Sequence, residues 1–482
     1  MKKGVVKVLC VVLSLMVLAV FAAGCGGTKE APAGTDAPAV TEAPAGTEAP
    51  AATEAAAPAE KVNLTYSYWG NADEQKAVDE TLAKFNGSQD RIVVKGLVIP
   101  WEQYATKLNT MAVAGELPDV GNQIERLIIR WAAEGMLADT SSMFGPDEAK
   151  PLENLAYKYQ GKTVAYASAN EVLLLYYNKD MFDKAGVAYP PSSADQAWTW
   201  DQFVDAAKKL TLDKNGKTPN DKGFDAQNIK QYGCLVENLP WQLEAWAYSN
   251  GDGKHGFFSQ DGTKCTINEP GTIEAIQKIA DLHLKDHVAP LSTGATDDSI
   301  QRSIISRTCA MGTGGQWNIG TCLGTAKKEG LNYGVAVLPY MKNKATLCTA
   351  GSTVIFNQTK HLQEAFEYVK WSALEENSWS LIEQGITMPR LDKWYKDETL
   401  LHKWIDNPNF PPFDQYKSAV VDYAMDPNIT HPAAWFSVDN FADFEALVQS
   451  ILGDVWTGKT TVEKAITANY DKLDAAFKGQ GK

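Results

Sequence analysis

The chain has 482 residues and a formal net charge of −14, with 59 acidic against 45 basic side chains and 14 tryptophans. That charge argues against a nucleic-acid partner. The length exceeds what one hydrophobic core usually serves, so two lobes are expected.

The first residues read as a secretory signal. Lys2, Lys3 and Lys7 precede an apolar run from Val8 to Ala23, and small residues lead to Cys25. The ending Ala22-Ala23-Gly24-Cys25 is similar to a bacterial lipobox, which implies cleavage after residue 24 and a diacylglyceryl thioether on Cys25. Losing the three lysines would take the formal charge from −14 to −17. Residues 25–60 read as a disordered tether, with Thr35, Thr41, Thr47 and Thr53 recurring every six residues among Ala, Pro and Glu. Largely extended, it would reach roughly 100 Å at ~3.1 Å per residue. That reach suits a thick wall, so the expected location is the outer face of a Gram-positive cell membrane.

From residue 61 the pattern is strand, helix, strand, helix, strand. Leu64 to Trp69 alternates, Val78, Leu82 and Phe85 fall at helical spacing, and Arg91 to Ile99 reads as a second strand. Tyr104, Leu108 and Met111 mark the next helix, which ends near Gly115 before Leu117-Pro118-Asp119-Val120. This alternation predicts a parallel α/β sheet. Further on, NEVLLLYYNKDMFDKAGVAYPP reads as a buried strand from Val172 to Tyr177, a polar turn, and a helix stopping at Gly186.

Several stretches carry a family resemblance. They are WEQYATKLNTMAVAGELPDV, RWAAEGMLADTSSM, YYNKDMF, RSIISRTCAMGTGGQWNIG with NYGVAVLPYMKN, and EAFEYVKW with GITMPRL. Together they span about 61–475, and in this order they resemble the extracellular solute-binding proteins of the maltose-binding type, the capture subunits of ABC sugar importers. The resemblance implies an α/β fold of the periplasmic-binding-protein-like II kind, two lobes joined by hinge crossings around a ligand cleft. It places crossings near Ala167 to Glu171, Ile304 to Cys309 and Ser352 to Asn357. The first lobe would combine 61–168 with 305–354, and the second 169–304 with 355–482.

A sugar has apolar C–H faces and a ring of hydroxyls, so its cleft needs aromatic rings beside carboxylates, amides or arginine. The resemblance implies ligand contacts from Trp69 and Asn71 at the end of the first strand, where strand ends of open α/β sheets meet ligands. It implies others from Asn122, Glu125 and Arg126, with Asn122 standing where the family carries an aromatic residue. Glu171, at the first crossing, matches a glutamate that contacts sugar hydroxyls. Trp241, Trp317 and Trp435 match aromatic contacts, Gly351 and Ser352 would offer backbone donors, and Arg390 follows the Met388-Pro389 pair. The expected partners are a sugar or oligosaccharide, ABC permease subunits with a separate ATPase, and the membrane through Cys25. A monomer without cofactor or catalytic residues is expected. A sugar sensor for a membrane receptor, a binder of a non-sugar solute and a secreted glycoside-active enzyme are the alternatives.

Other motifs are weaker. Phosphate loops, GxSxG and HExxH are missing from the sequence. His283 and His287 stand i, i+4 apart without an evident third ligand. Asp213 to Lys217 opens like a calcium loop, but Phe224 occupies the place of the required glutamate. Beyond Cys10 and Cys25, five cysteines remain (Cys234, Cys265, Cys309, Cys322 and Cys348), an odd number for which no pairing is assigned.

Overall fold

The computed structural model describes residues 61–482 apart from 71, 147, 260–261, 292–298, 437, 478 and 480–482. The leader, Cys25, the tether and Asn71 therefore lie outside the described residues. Thirteen strands are described: β1 Val62–Tyr68, β2 Ile92–Val98, β3 Val120–Gln123, β4 Ala156–Tyr159, β5 Lys162–Ala167, β6 Glu171–Asn178 and β7 Leu212–Asp213, then β8 Ile229–Leu235, β9 Cys309–Gly315, β10 Tyr333–Ala336, β11 Thr346–Thr349, β12 Ser352–Ile355 and β13 Thr430–Pro432.

They form two sheets, ordered β2-β1-β3-β12-β5-β4 and β13-β11-β6-β9-β8-β7, with β10 also pairing β6. Each sheet is the centre of one α/β lobe. In the first, β1 runs parallel to both β2 and β3. The helix Ala72–Ser88 links β1 to β2 and buries Ala77, Val78, Leu82 and Phe85. Phe85 meets Tyr368 edge-on at 5.1 Å, and Tyr66 stacks on Tyr68 at 5.6 Å. A ring buried this fully contributes about 1.5–3 kcal/mol through lost water contact.

The chain leaves the first sheet after Ala167 and enters the second at Glu171. It returns between Thr349 and Ser352. The two crossings are bonded together, since the Gly351 carbonyl accepts from both the Ser168 amide (2.8 Å) and its hydroxyl (2.9 Å). Past the first crossing, the Asn178 side chain caps the helix Lys179–Ala185 by accepting from the Met181 amide at 3.1 Å. Gly186 ends that helix at a φ of 65°, which glycine adopts at least cost.

The strand pairing corrects two expected boundaries. A return to the first lobe near 304–309 does not occur, and 305–354 is not a first-lobe segment. β9 pairs with β6 from Leu173–Gly315 to Tyr177–Met311, and with β8 on its other edge. The reason lies in its composition, CAMGTGG, which is buried throughout as a central strand must be. Its glycines admit Ile300, for a Cβ on Gly312 or Gly314 would stand 2.3 or 2.4 Å from that side chain. β10 and β11 follow β9 in the second sheet, so only β12 of this region joins the first. Nor does everything after 355 belong to the second lobe. The helix Leu362–Ala373 lays Phe366, Tyr368 and Val369 into the first-lobe core beside Tyr66 and Phe85.

Two motifs resolve into local structure. His287 has a φ of 57° and lies past the end of the helix Pro270–Leu284, while His283 faces the Ala289 carbonyl. Asp213 turns its carboxylate onto the amides of Asn215, Lys217 and Asp225, closing its own loop. Cys234, Cys265, Cys309 and Cys348 are buried free thiols.

Candidate ligand-binding cleft

Three distant tryptophans meet where the lobes face each other. Trp241 starts the helix Pro240–Asn250, with Pro240 at its first turn, where the missing N–H costs nothing. Trp317 follows β9, and Trp435 sits in the short turn Ala434–Phe436. Trp241 lies 4.9 Å from Trp435 and 6.0 Å from Trp317, ring centre to ring centre. Trp241 and Trp435 are buried, and Trp317 keeps partial exposure.

The first lobe supplies the facing wall. Arg126, in the helix Glu125–Ala133, holds its guanidinium 5.8 Å from the centre of the Trp435 ring. The same group bonds Glu445 of the second lobe at 3.1 Å and its neighbour Glu125 at 3.4 Å. Tyr157 of β4 stacks on Phe436 at 4.2 Å and donates to the Ala350 carbonyl in the second crossing.

Glu171 occupies the crossing itself. β6 pairs it with Thr349, and the register of Leu173 with Gly315 brings it to the same end of the sheet as Trp317. Burial, with the charge of Glu125 second, pushes its carboxyl up to about 8. At neutral pH this group holds its proton, so it can both donate to and accept from a hydroxyl.

Trp69 lies at the first-lobe side of the crossing, directly after β1. Its ring meets Trp101 at 5.2 Å and Tyr104 at 5.0 Å, both edge-on. It covers Gly351, where a Cβ would stand only 3.0 Å from the indole. The hydroxyl of Ser352, the amide nitrogen of Gln123, the amide oxygen of Gln316 and the indole nitrogen of Trp241 are buried without a protein partner among the described residues. Such groups are rare in folded proteins.

Two expected contacts have other occupations. The Asn122 amide oxygen accepts from Tyr66 (2.9 Å) and Thr353 (3.4 Å), which ties it into the sheet. Arg390 donates from its backbone to Glu375 (2.8 Å) and from its guanidinium to the Ser372 carbonyl (2.7 Å), closing the end of the helix Leu362–Ala373. It faces Tyr66 and Tyr368 in the first-lobe core rather than the tryptophans. Tyr157, Phe436, Glu445 and Trp101 escaped the sequence reading. Phe436 had a usable signal as the neighbour of Trp435; Glu445 had none, because its partner is 319 residues away.

Known proteins repeat this architecture. An ABC substrate-binding protein of Listeria monocytogenes in complex with cycloalternan superposes with a TM-score of 0.70 at 23% identity, covering 86% of this chain and 99% of that one. A solute-binding protein of Thermotoga lettingae bound with α-D-tagatose gives 0.70 at 21%, over 86% and 100%. The GacH receptor of Streptomyces glaucescens, solved free and with acarbose, gives 0.68 at 19%, over 87% and 100%. Among curated relatives, a binding protein of Brucella abortus is 25% identical over 302 residues, 60% of this chain and 66% of its own length. The sn-glycerol-3-phosphate-binding periplasmic protein of Brucella melitensis is 27% identical over 51% of this chain and 56% of its own. The chain thus spans less than two thirds of the length of these curated relatives. The profile of the bacterial extracellular solute-binding proteins matches residues 69–378, more than half of the chain, and the protein belongs to that family.

Proposed function

We propose that the protein captures a carbohydrate between its lobes and delivers it to an ABC permease, without chemistry of its own. The observation that carries this is the meeting of Trp241, Trp317 and Trp435 with Glu125, Arg126 and Glu171 at the lobe junction. Indole faces suit the C–H faces of a sugar, and the carboxyls and guanidinium suit its hydroxyls. A ligand touching both lobes binds the closed form better and so shifts the population towards it. Permease subunits then recognise the closed shape, with the ATPase on another chain. A monomer held by lipid on Cys25 at the extracytoplasmic face fits this role. Among the described residues no helix is long and apolar enough to cross a membrane.

A phosphate ester is the second reading, because a relative carries glycerol phosphate in its name. The charge at the junction disfavours it. Arg126 is already shared between Glu125 and Glu445, so its charge is balanced by protein carboxylates. A glycoside-active enzyme would also use two carboxyls, one with a raised pKa. Here the other, Glu125, is bound to Arg126 instead of facing an open water site.

A thermal-shift screen with tagatose, maltotriose, a cyclic tetrasaccharide and sn-glycerol 3-phosphate tests the reading. At least one sugar should raise the melting temperature by several degrees, as ~2.7 kcal/mol is gained at a hundredfold excess over Kd. A shift with glycerol phosphate alone, or cleavage of the sugar during the assay, would reject it.

A further inference from the structure

The helix that presents Trp241 has two more residues on the same face. Positions 241, 244 and 248 follow i, i+3, i+7 spacing, one stripe along the helix Pro240–Asn250. Each meets the segment 431–435. Trp241 packs on Trp435 at 4.9 Å, Glu244 Oε2 accepts from the Ala434 amide at 3.2 Å, and Tyr248 stacks flat on His431 at 4.0 Å and 4°.

Glu244 is the unusual member. It is buried, and its other oxygen, Oε1, accepts from the Phe257 amide at 3.2 Å. Burying a carboxyl is costly without such bonds. The fold leaves room for it by having no side chain at Gly256, where a Cβ would lie 2.3 Å from Glu244 Cγ and 2.7 Å from the Tyr248 ring.

We propose that Glu244 is a positioning residue of the ligand site: by accepting from Ala434 it fixes the 434–436 turn, so that Trp435 stands against Trp241 and beneath Arg126. A carboxyl on the helix thereby sets the spacing of two rings that come from segments almost two hundred residues apart. Its importance for binding rests on the carbohydrate reading of the cluster, but its action on the turn does not require a ligand.

The test uses the ligand-free protein. In Glu244→Ala, hydrogen exchange at residues 431–436 should accelerate at least tenfold while β6 and β9 keep their protection. The near-ultraviolet circular dichroism of the Trp241–Trp435 pair should fall to the level of Trp435→Phe. Gly256→Ala, which displaces the carboxyl without deleting it, should do the same and serves if Glu244→Ala does not fold. Glu375→Ala is the matched control, a buried carboxyl accepting from the amides of Arg390 and Leu391 at 2.8 Å each. It should leave both signals at 431–436 unchanged. Undisturbed exchange at 431–436, or a loss spread evenly over the second lobe, would overturn the proposal. Titration with maltotriose, tagatose and a cyclic tetrasaccharide separates this from the carbohydrate reading: if that reading fails, wild type binds none of them while the exchange result stands.

Discussion

Trp435→Ala is expected to lower the unfolding free energy by about 3–5 kcal/mol, the range for deleting a large buried ring. Trp435 is 1% exposed and packs on Trp241 at 4.9 Å and Phe441 at 5.6 Å, under the Arg126 guanidinium. The cavity would open at the seam between the lobes, where Tyr157 and Phe436 are stacked. Sugar affinity should fall at least tenfold as well. Denaturant unfolding gives the first quantity and titration of whichever sugar in the panel binds wild type gives the second. Trp435→Phe separates them, because it fills most of the space and should recover more stability than affinity. Equal recovery of both would mean that the indole itself has no part in binding.

Glu171→Gln should stabilise the ligand-free protein at alkaline pH and change little at pH 5. The carboxyl rises from an ordinary 4.5 to about 8 on folding, through burial first and Glu125 second. The folded state therefore binds more protons than the unfolded state between those values. Stability from this group is fully present below about 4.5 and is lost as pH rises through 8. Removing the titrating group should flatten that decline, by about 2–4 kcal/mol between pH 5 and 9. Glu244, pushed up to about 7 by burial against the opposing bonds from Phe257 and Ala434, leaves a smaller decline of the same sign. Melting temperatures across pH 5–9 for both proteins measure this. Parallel profiles would show that Glu171 is ionised in the fold and faces more water than its setting implies.

Some of this was legible in the sequence and some was not, for physical reasons. The strand from Val172 to Tyr177, the polar turn after it and the helix stop at Gly186 depend on residues within a few positions, so local patterning finds them; the Asn178 cap is seen only in the structure. The meeting of Trp241, Trp317 and Trp435 depends on two sheets folding against each other. Only a family resemblance could single these three out among 14 tryptophans. Cys309–Gly315 was misplaced because a short run of small and apolar residues fits a central strand in either lobe. What decides is Ile300 filling the notches at Gly312 and Gly314, a contact with no local signature. Arg390 looked like a cleft residue from its motif, yet its bonds to Ser372 and Glu375 make it part of a helix terminus. Asn122 is similar: beside two strand partners, its polar side chain had bonds to make within the sheet. Glu244 went unnoticed because a single glutamate in a helix ordinarily faces solvent.

The most direct test of the central claim is calorimetric titration of wild type and Trp317→Ala with tagatose, maltotriose and a cyclic tetrasaccharide. Trp317 is the partly exposed member of the triad, so its loss should disturb the fold least. The account predicts one-to-one binding of at least one sugar by wild type, weakened by at least ~1 kcal/mol in the variant through lost stacking. Binding of none of these sugars, or equal affinity in the two proteins, would contradict it.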